Sequence, residues 1–160
     1  MDIEDKELID QFRNEETKHY AFNLLVRKYQ QKLYYHIRRL VIGHEDADDV
    51  LQNVFIKVWK YLDRFNEEAQ LYTWLYRIAA NESITFLNQK RKKFLLPIVN
   101  VEEELSKALE EDTCFNGDEI NLKLQKAILK LPEKQRVVFN MKYYEDLTYE
   151  DMSQILNTSV

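Results

Sequence analysis

The stretch Asp46-Ala47-Asp48-Asp49-Val50-Leu51-Gln52-Asn53-Val54-Phe55-Ile56-Lys57-Val58-Trp59 decides the fold. Val50, Leu51, Val54, Phe55, Val58, Trp59 and the following Leu62 recur in pairs one helical turn apart. That spacing puts every apolar side chain on a single stripe of an α-helix. Glu45, Asp46, Asp48 and Asp49 crowd its start, where carboxylates complement the positive end of the helix dipole. Asp49, Gln52, Asn53, Lys57 and Lys60 lie mainly off the stripe, so they face outward.

The same period extends to both sides. Upstream, Leu8, Ile9 and Phe12 share one face of a short helix over Lys6–Asn14. Phe22, Leu25, Val26, Tyr29, Leu33, Ile37 and Leu40 then mark a longer helix, with Gly43 as its expected stop. Downstream, a polar break over Asp63–Gln70 precedes a helix from about Tyr72 to Arg91, with Trp74, Leu75, Ile78, Ala79 and Phe86 inward. Its pattern weakens near Asn81 and Glu82, where a bend or break is expected. Residues 94–121 show no sustained period and read as a linker, with a short helix around Glu103–Glu111. Helical spacing resumes at Leu122, Leu124, Ile128 and Leu131, and Pro132 is expected in the first turn of the next helix. Thr148-Tyr149-Glu150-Asp151 has the form of a capping box and opens a helix carrying Met152, Ile155 and Leu156. Asn157-Thr158-Ser159 is the expected turn after it. With only two glycines and two prolines in 160 residues, long helices are favoured over many short strands. The expected fold class is all-α.

Charge is distributed unevenly. The chain carries a net −5, but residues 71–93 hold 5 basic groups against 1 acidic, while residues 94–121 hold 1 against 8. Local potential matters more for partner choice than the sum. The single cysteine, Cys114, can form no internal disulfide, which suits a reducing cytosol. The acidic start carries no signal peptide, and no apolar run reaches the roughly 18 residues that span a bilayer. A cytoplasmic protein without membrane insertion is expected.

Three segments, in order, resemble one family. Asp46 to Trp59 is similar to the polymerase-binding helix of bacterial RNA polymerase sigma factors. Tyr72-Thr73-Trp74-Leu75-Tyr76-Arg77-Ile78-Ala79-Ala80-Asn81-Glu82 resembles the minus-ten-reading segment of their extracytoplasmic-function (ECF) group. Leu131-Pro132-Glu133-Lys134-Gln135-Arg136-Val137-Val138-Phe139, with Tyr143 to Met152, resembles the start of that group's minus-thirty-five-binding domain. The resemblance covers about residues 8–93 and 122–160. It implies a region-two domain over 1–93, an acidic linker over 94–121 and a partial region-four helix-turn-helix over 122–160. It also implies binding to the β′ and β subunits of core polymerase, to promoter DNA and to an anti-sigma factor. The β′ contacts would be Asp49, Gln52, Asn53 and Lys57, although the family usually has an acid where Asn53 stands. The minus-ten strand would be met by Tyr76, Arg77, Asn81, Lys90, Arg91, Lys92 and Lys93, with the loop at Asn66–Leu71 shaping a pocket for a flipped base. Cations for phosphates and aromatic or amide groups for bases suit a separated strand. The linker is either a solvated spacer or, as in the family, a thread through the polymerase channel whose acids mimic nucleic acid.

Catalysis is not expected. The two glycines lie too far apart for a phosphate loop, and His19, His36 and His44 form no ligand cluster with Cys114, so neither metal nor cofactor is implied. Two other classes fit the helical pattern: a helix-turn-helix regulator independent of polymerase, and a helical interaction module. In the sigma-factor reading, the recognition helix should begin at about Ser159 or Val160, so only its first residues lie within these 160. Footprinting of this chain is therefore expected to leave the minus-thirty-five element unprotected; protection there would overturn the reading.

Overall fold

A computed structural model describes residues 4–93, 98–112 and 118–160, with backbone alone for 98–102. Among these residues there are eight α-helices and a 3-10 turn, and no strand. The expectations for Pro97 and for Cys114 to Gly117 lie outside the described residues.

The amino-terminal helices are α1 (Asp5–Arg13), α2 (Lys18–Val41), α3 (His44–Tyr61) and α4 (Leu71–Lys93), with the 3-10 turn at Leu62–Arg64. The stripe of α3 packs as its spacing requires: Val50, Val54, Val58 and Leu62 have no exposed surface. They meet Leu25, Leu33, Ile37 and Leu40 of α2 and Leu75 and Ala79 of α4 in one core. Aromatic edges close the far end, where the Trp59 ring stands 5.3 Å from Phe12 and 5.0 Å from Phe22. α1 is fastened over α2 by its first turn, where Asp5 accepts the Tyr29 hydroxyl at 2.7 Å and pairs with Lys28 at 3.1 Å.

Two local expectations are corrected. α2 does not stop on Gly43: Ile42 takes the positive φ of 67°, and Gly43 N–H donates to the Val41 carbonyl at 2.8 Å. Such a γ-turn on a β-branched residue costs about 1–3 kcal/mol. Burial of the Ile42 side chain and an Arg38 hydrogen bond to the Ile42 carbonyl offset it. Gly43 instead caps the start of α3. The second correction concerns Asn81 and Glu82, where α4 runs on without a break. The apolar pattern fades there because Asn81 is exposed on the outer face, while Ala80 and Ser83 fill the close-packed inner one.

The segment read as a linker holds more structure than expected. α5 runs over Ile98–Glu111, and Leu105 and Leu109 are buried at 3% and 0% exposure. α5 packs against α6 (Glu119–Leu129), which starts within the span assigned to the linker and is capped by Asp118 accepting from the Ile120 N–H. α7 (Glu133–Glu145) follows Pro132, which sits one residue before the helix rather than inside its first turn. α8 (Tyr149–Leu156) opens on the expected capping box, with Thr148 accepting from the Asp151 N–H at 3.1 Å. Asn157 ends it in the left-handed conformation, φ 52°. α8 lies along α4, and α7 touches α2.

Leu109 separates a packed segment from a solvated spacer. Leu109→Ala should lower unfolding free energy by about 2–5 kcal/mol in urea titrations, as for other buried leucines; a spacer would leave it unchanged.

Candidate polymerase and nucleic-acid interface

On α3, burial of the stripe leaves Asp49, Gln52 and Asn53 exposed along one side, beside Ile56 at 59% exposure. The three polar side chains make no hydrogen bond or ion pair among the described residues. They form a short carboxylate-and-amide face with an apolar neighbour. Lys57 is placed differently, because its ammonium is held by Glu82 of α4.

On α4, Arg77 and Asn81 are exposed one turn apart and share an outer face. The basic end is partly engaged: Lys90 pairs with Asp46 at 3.0 Å, and Arg91 donates to Asn88 at 3.0 Å. Lys92 and Lys93 are exposed. Trp74 and Ile78 are half-buried, with the Trp74 ring 5.4 Å from Phe65.

The groups expected to build one base pocket lie in three depressions. The loop between the 3-10 turn and α4 lines a cavity of about 300 Å³ with Asp5 and Ile9. Arg13 holds that loop, donating to Glu67 at 2.9 Å and to the Phe65 carbonyl at 2.7 Å. Tyr76 lines a groove of about 690 Å³ with Lys28, Lys32 and Tyr72. Asn81 borders a third space of about 420 Å³, facing Gln135 and Val138 of α7 and Leu156 of α8.

Residues 25–93 match the family model for Sigma-70 region 2, and residues 121–160 match Sigma-70, region 4. RNA polymerase sigma-H factor of Pseudomonas aeruginosa is 31% identical across 98% of this chain and 84% of its own. The ECF RNA polymerase sigma-E factor of Escherichia coli K12 is 30% identical across 99% and 85%. The chain belongs to the ECF sigma factors. The Bacillus subtilis sigma factor SigW is 32% identical over 88% of the chain and 79% of its own. Among solved structures, CnrH in complex with the cytosolic domain of CnrY matches the fold with a TM-score of 0.67 at 22% identity, over 97% of this chain and 84% of that one. RpoE in complex with the anti-sigma factor NepR, from Bartonella quintana, matches at 0.63 and 18%, over 86% and 84%.

An ECF sigma factor directs RNA polymerase to promoters and initiates transcription, and that is the function of this chain. It binds core polymerase and promoter DNA. Neither a polymerase-independent regulator nor a pure interaction module describes it. No described helix is long and apolar enough to cross a membrane.

In this sigma factor the two matched regions meet at a cluster that sequence patterning did not single out. Glu145, at the end of α7, accepts from Arg39 of α2 at 2.7 Å and from the Tyr76 hydroxyl of α4 at 2.9 Å. The Arg39 guanidinium also lies 4.3 Å from the Tyr144 ring centre. Behind Tyr76, the His36 ring sits 4.8 Å away, fully buried, and neither of its nitrogens has a partner among the described residues. Burial, and then the Arg39 charge, hold His36 down at about 3. Burial, with the Glu145 carboxylate beside it, pushes the Tyr76 phenol up. A tandem arginine on an amphipathic helix was the one available sequence signal. Its partner lies 106 positions away, beyond the reach of any periodicity.

His36 makes stability depend on pH. The unfolded chain binds a proton at this site below about 6.5, while the folded chain resists it down to about 3. Unfolding free energy should therefore fall as pH drops below 6.5, by up to about 1.4 kcal/mol per pH unit from this group. His36→Leu should flatten the difference between urea curves at neutral and mildly acid pH; an unchanged slope would exclude His36 as its source.

Proposed function

We propose that this sigma factor docks on the β′ subunit through the exposed α3 face of Asp49, Gln52 and Asn53. Lys57 lies at the edge of that contact, already tied to α4. The observation that carries the reading is that these three side chains are exposed on one side of a helix whose opposite side packs into the core through Val50, Val54 and Val58. Such a face has no packing task and sits on a rigid support, as a specific docking surface needs.

The minus-ten strand is met by α4. Arg77 and the Lys90–Lys93 cluster attract phosphates and Asn81 offers an amide to a base edge, while Tyr76, 3% exposed between His36 and Glu145, supports the wall of the neighbouring groove. Residues 1–93 form the region-two unit and residues from 122 the region-four unit. The span between them, 94–121, is a linker that includes helix α5 and the start of α6. The protein acts in the cytoplasm as an initiation factor and not as an enzyme, without metal or cofactor. CnrH has been captured with the cytosolic domain of CnrY, and RpoE with the anti-sigma factor NepR. An anti-sigma factor is the matching partner here.

Two substitutions separate the surfaces. Gln52→Ala should weaken binding to core polymerase by roughly tenfold, the effect of losing one well-placed interface hydrogen bond. Asn81→Ala should leave that affinity intact and reduce run-off transcription and binding of the minus-ten non-template strand by the holoenzyme. If Gln52→Ala binds core normally, the α3 assignment is wrong; if Asn81→Ala transcribes normally, the α4 assignment is wrong.

A further inference from the structure

The loop between the 3-10 turn and α4, residues 65–70, contains no helix or strand, yet its shape is closely fixed. Phe65 is buried, with its ring 5.4 Å from that of Trp74. Glu67 takes a positive φ of 57°, which a residue with a Cβ adopts only where its surroundings hold it. The side-chain oxygen of Asn66 accepts from the Glu68 N–H at 3.5 Å.

The hold comes from α1. Arg13, its last residue, donates through one guanidinium nitrogen to the Phe65 carbonyl at 2.7 Å and through another to Glu67 at 2.9 Å. The two bonds straddle Asn66. Just before the loop, Lys18 pairs with Asp63 at 3.0 Å. α1 also supplies Asp5, Lys6 and Ile9 to the cavity of about 300 Å³ that the loop lines. This arrangement contributes little to stability: Arg13 and Glu67 are 38% and 37% exposed, and ion pairs open to water are weak. Its consequence is geometric. A planar guanidinium that spans a carbonyl and a carboxylate sets their separation, which the single ammonium of a lysine does not.

Asn66 and Gln70 remain exposed beside this brace, two amides able to donate to and accept from base edges. From Leu71 to Asn81 α4 rises by about 15 Å. A strand lying on Arg77 and Asn81 and continued toward the start of the helix comes to this loop. There Arg13 has a second effect, since it neutralises a Glu67 carboxylate that would otherwise repel phosphates.

We propose that Arg13 is a positioning residue for promoter reading: from the end of α1 it holds the 65–70 loop in the shape that presents Asn66 and Gln70 to the minus-ten strand. The proposal rests on the reading of α4 as the strand-binding helix. α1 touches no base itself; it acts through the loop.

The test is run-off transcription by the reconstituted holoenzyme on templates carrying each of the four bases at each minus-ten position. Arg13→Ala should reduce base discrimination by roughly tenfold, the range of one well-placed base contact, at the positions the loop meets and nowhere else. Those positions should be the ones that respond to Asn66→Ala or Gln70→Ala. Affinity for core polymerase and the urea midpoint should stay as in the wild type. Arg13→Lys, which keeps the charge but not the span, should recover only part of the discrimination. Arg13→Ala with Glu67→Gln removes the unpaired carboxylate without restoring the Phe65 bond, and should keep the defect.

A base profile unchanged by Arg13→Ala overturns the proposal. So does an equal loss on every template, the result of a merely structural role, or a response at positions that neither loop amide affects. Full recovery in the double variant also overturns it, because charge neutralisation alone would then explain Arg13. Asn81→Ala on the same templates tests the underlying reading separately. If it changes nothing while Arg13→Ala alters the profile, the α4 reading fails and the brace on the loop stands.

Discussion

Burial of α2 is the constraint on which the rest depends. Leu25, Leu33, Ile37 and Leu40 lie along this 24-residue helix with almost no exposed surface. They are covered by α3 and α4, and nearer the start of the helix by α1. Once those contacts are made, the rotation of each covering helix is fixed. Packed interiors allow little freedom, since a turned helix would open voids on one side and overlap on the other. The outward faces of α3 and α4 are therefore consequences of the core, and so is the direction in which Gln52 and Asn81 point.

The same helix carries the polar elements that join the two halves. Arg38 and Arg39 are adjacent on α2, but Arg38 reaches Asp112 after α5, while Arg39 reaches Glu145 at the end of α7. His36 lies beneath them, without a charge partner of opposite sign and held neutral by burial. A neutral histidine there adds no second cation beside Arg39, which keeps Glu145 and the Tyr144 ring as its partners. The apolar core thus sets the fold and continues through Val137, Met141, Leu147, Met152 and Ile155 of the carboxy-terminal part, with one small polar cluster beside it.

Sequence legibility followed the strength of the local pattern. α3 was readable nearly to the residue, because paired apolar positions over several turns admit one burial side only. Its exposed face was readable for the same reason. α5 was underestimated: Leu105, Ala108 and Leu109 have helical spacing, but the flanking glutamates lowered the apolar signal and the partner helix α6 lies beyond the acidic stretch. Gly43 was misassigned because glycine is the commonest residue for a helix stop, whereas tertiary burial of Ile42 put the positive φ one residue earlier.

By itself the sequence determined the helical class, the two surfaces of α3 and, in three separate short segments, the resemblance to one family. Each of these depends on residues within a few turns of one another, where spacing and geometry are nearly equivalent. The tertiary structure alone decided that Lys57 is held by Glu82, that Tyr76 and Asn81 face different spaces, and that Glu145 closes on Arg39 and Tyr76. Those pairings join elements far apart in the chain. They arise from how helices stack around α2, which no local period encodes.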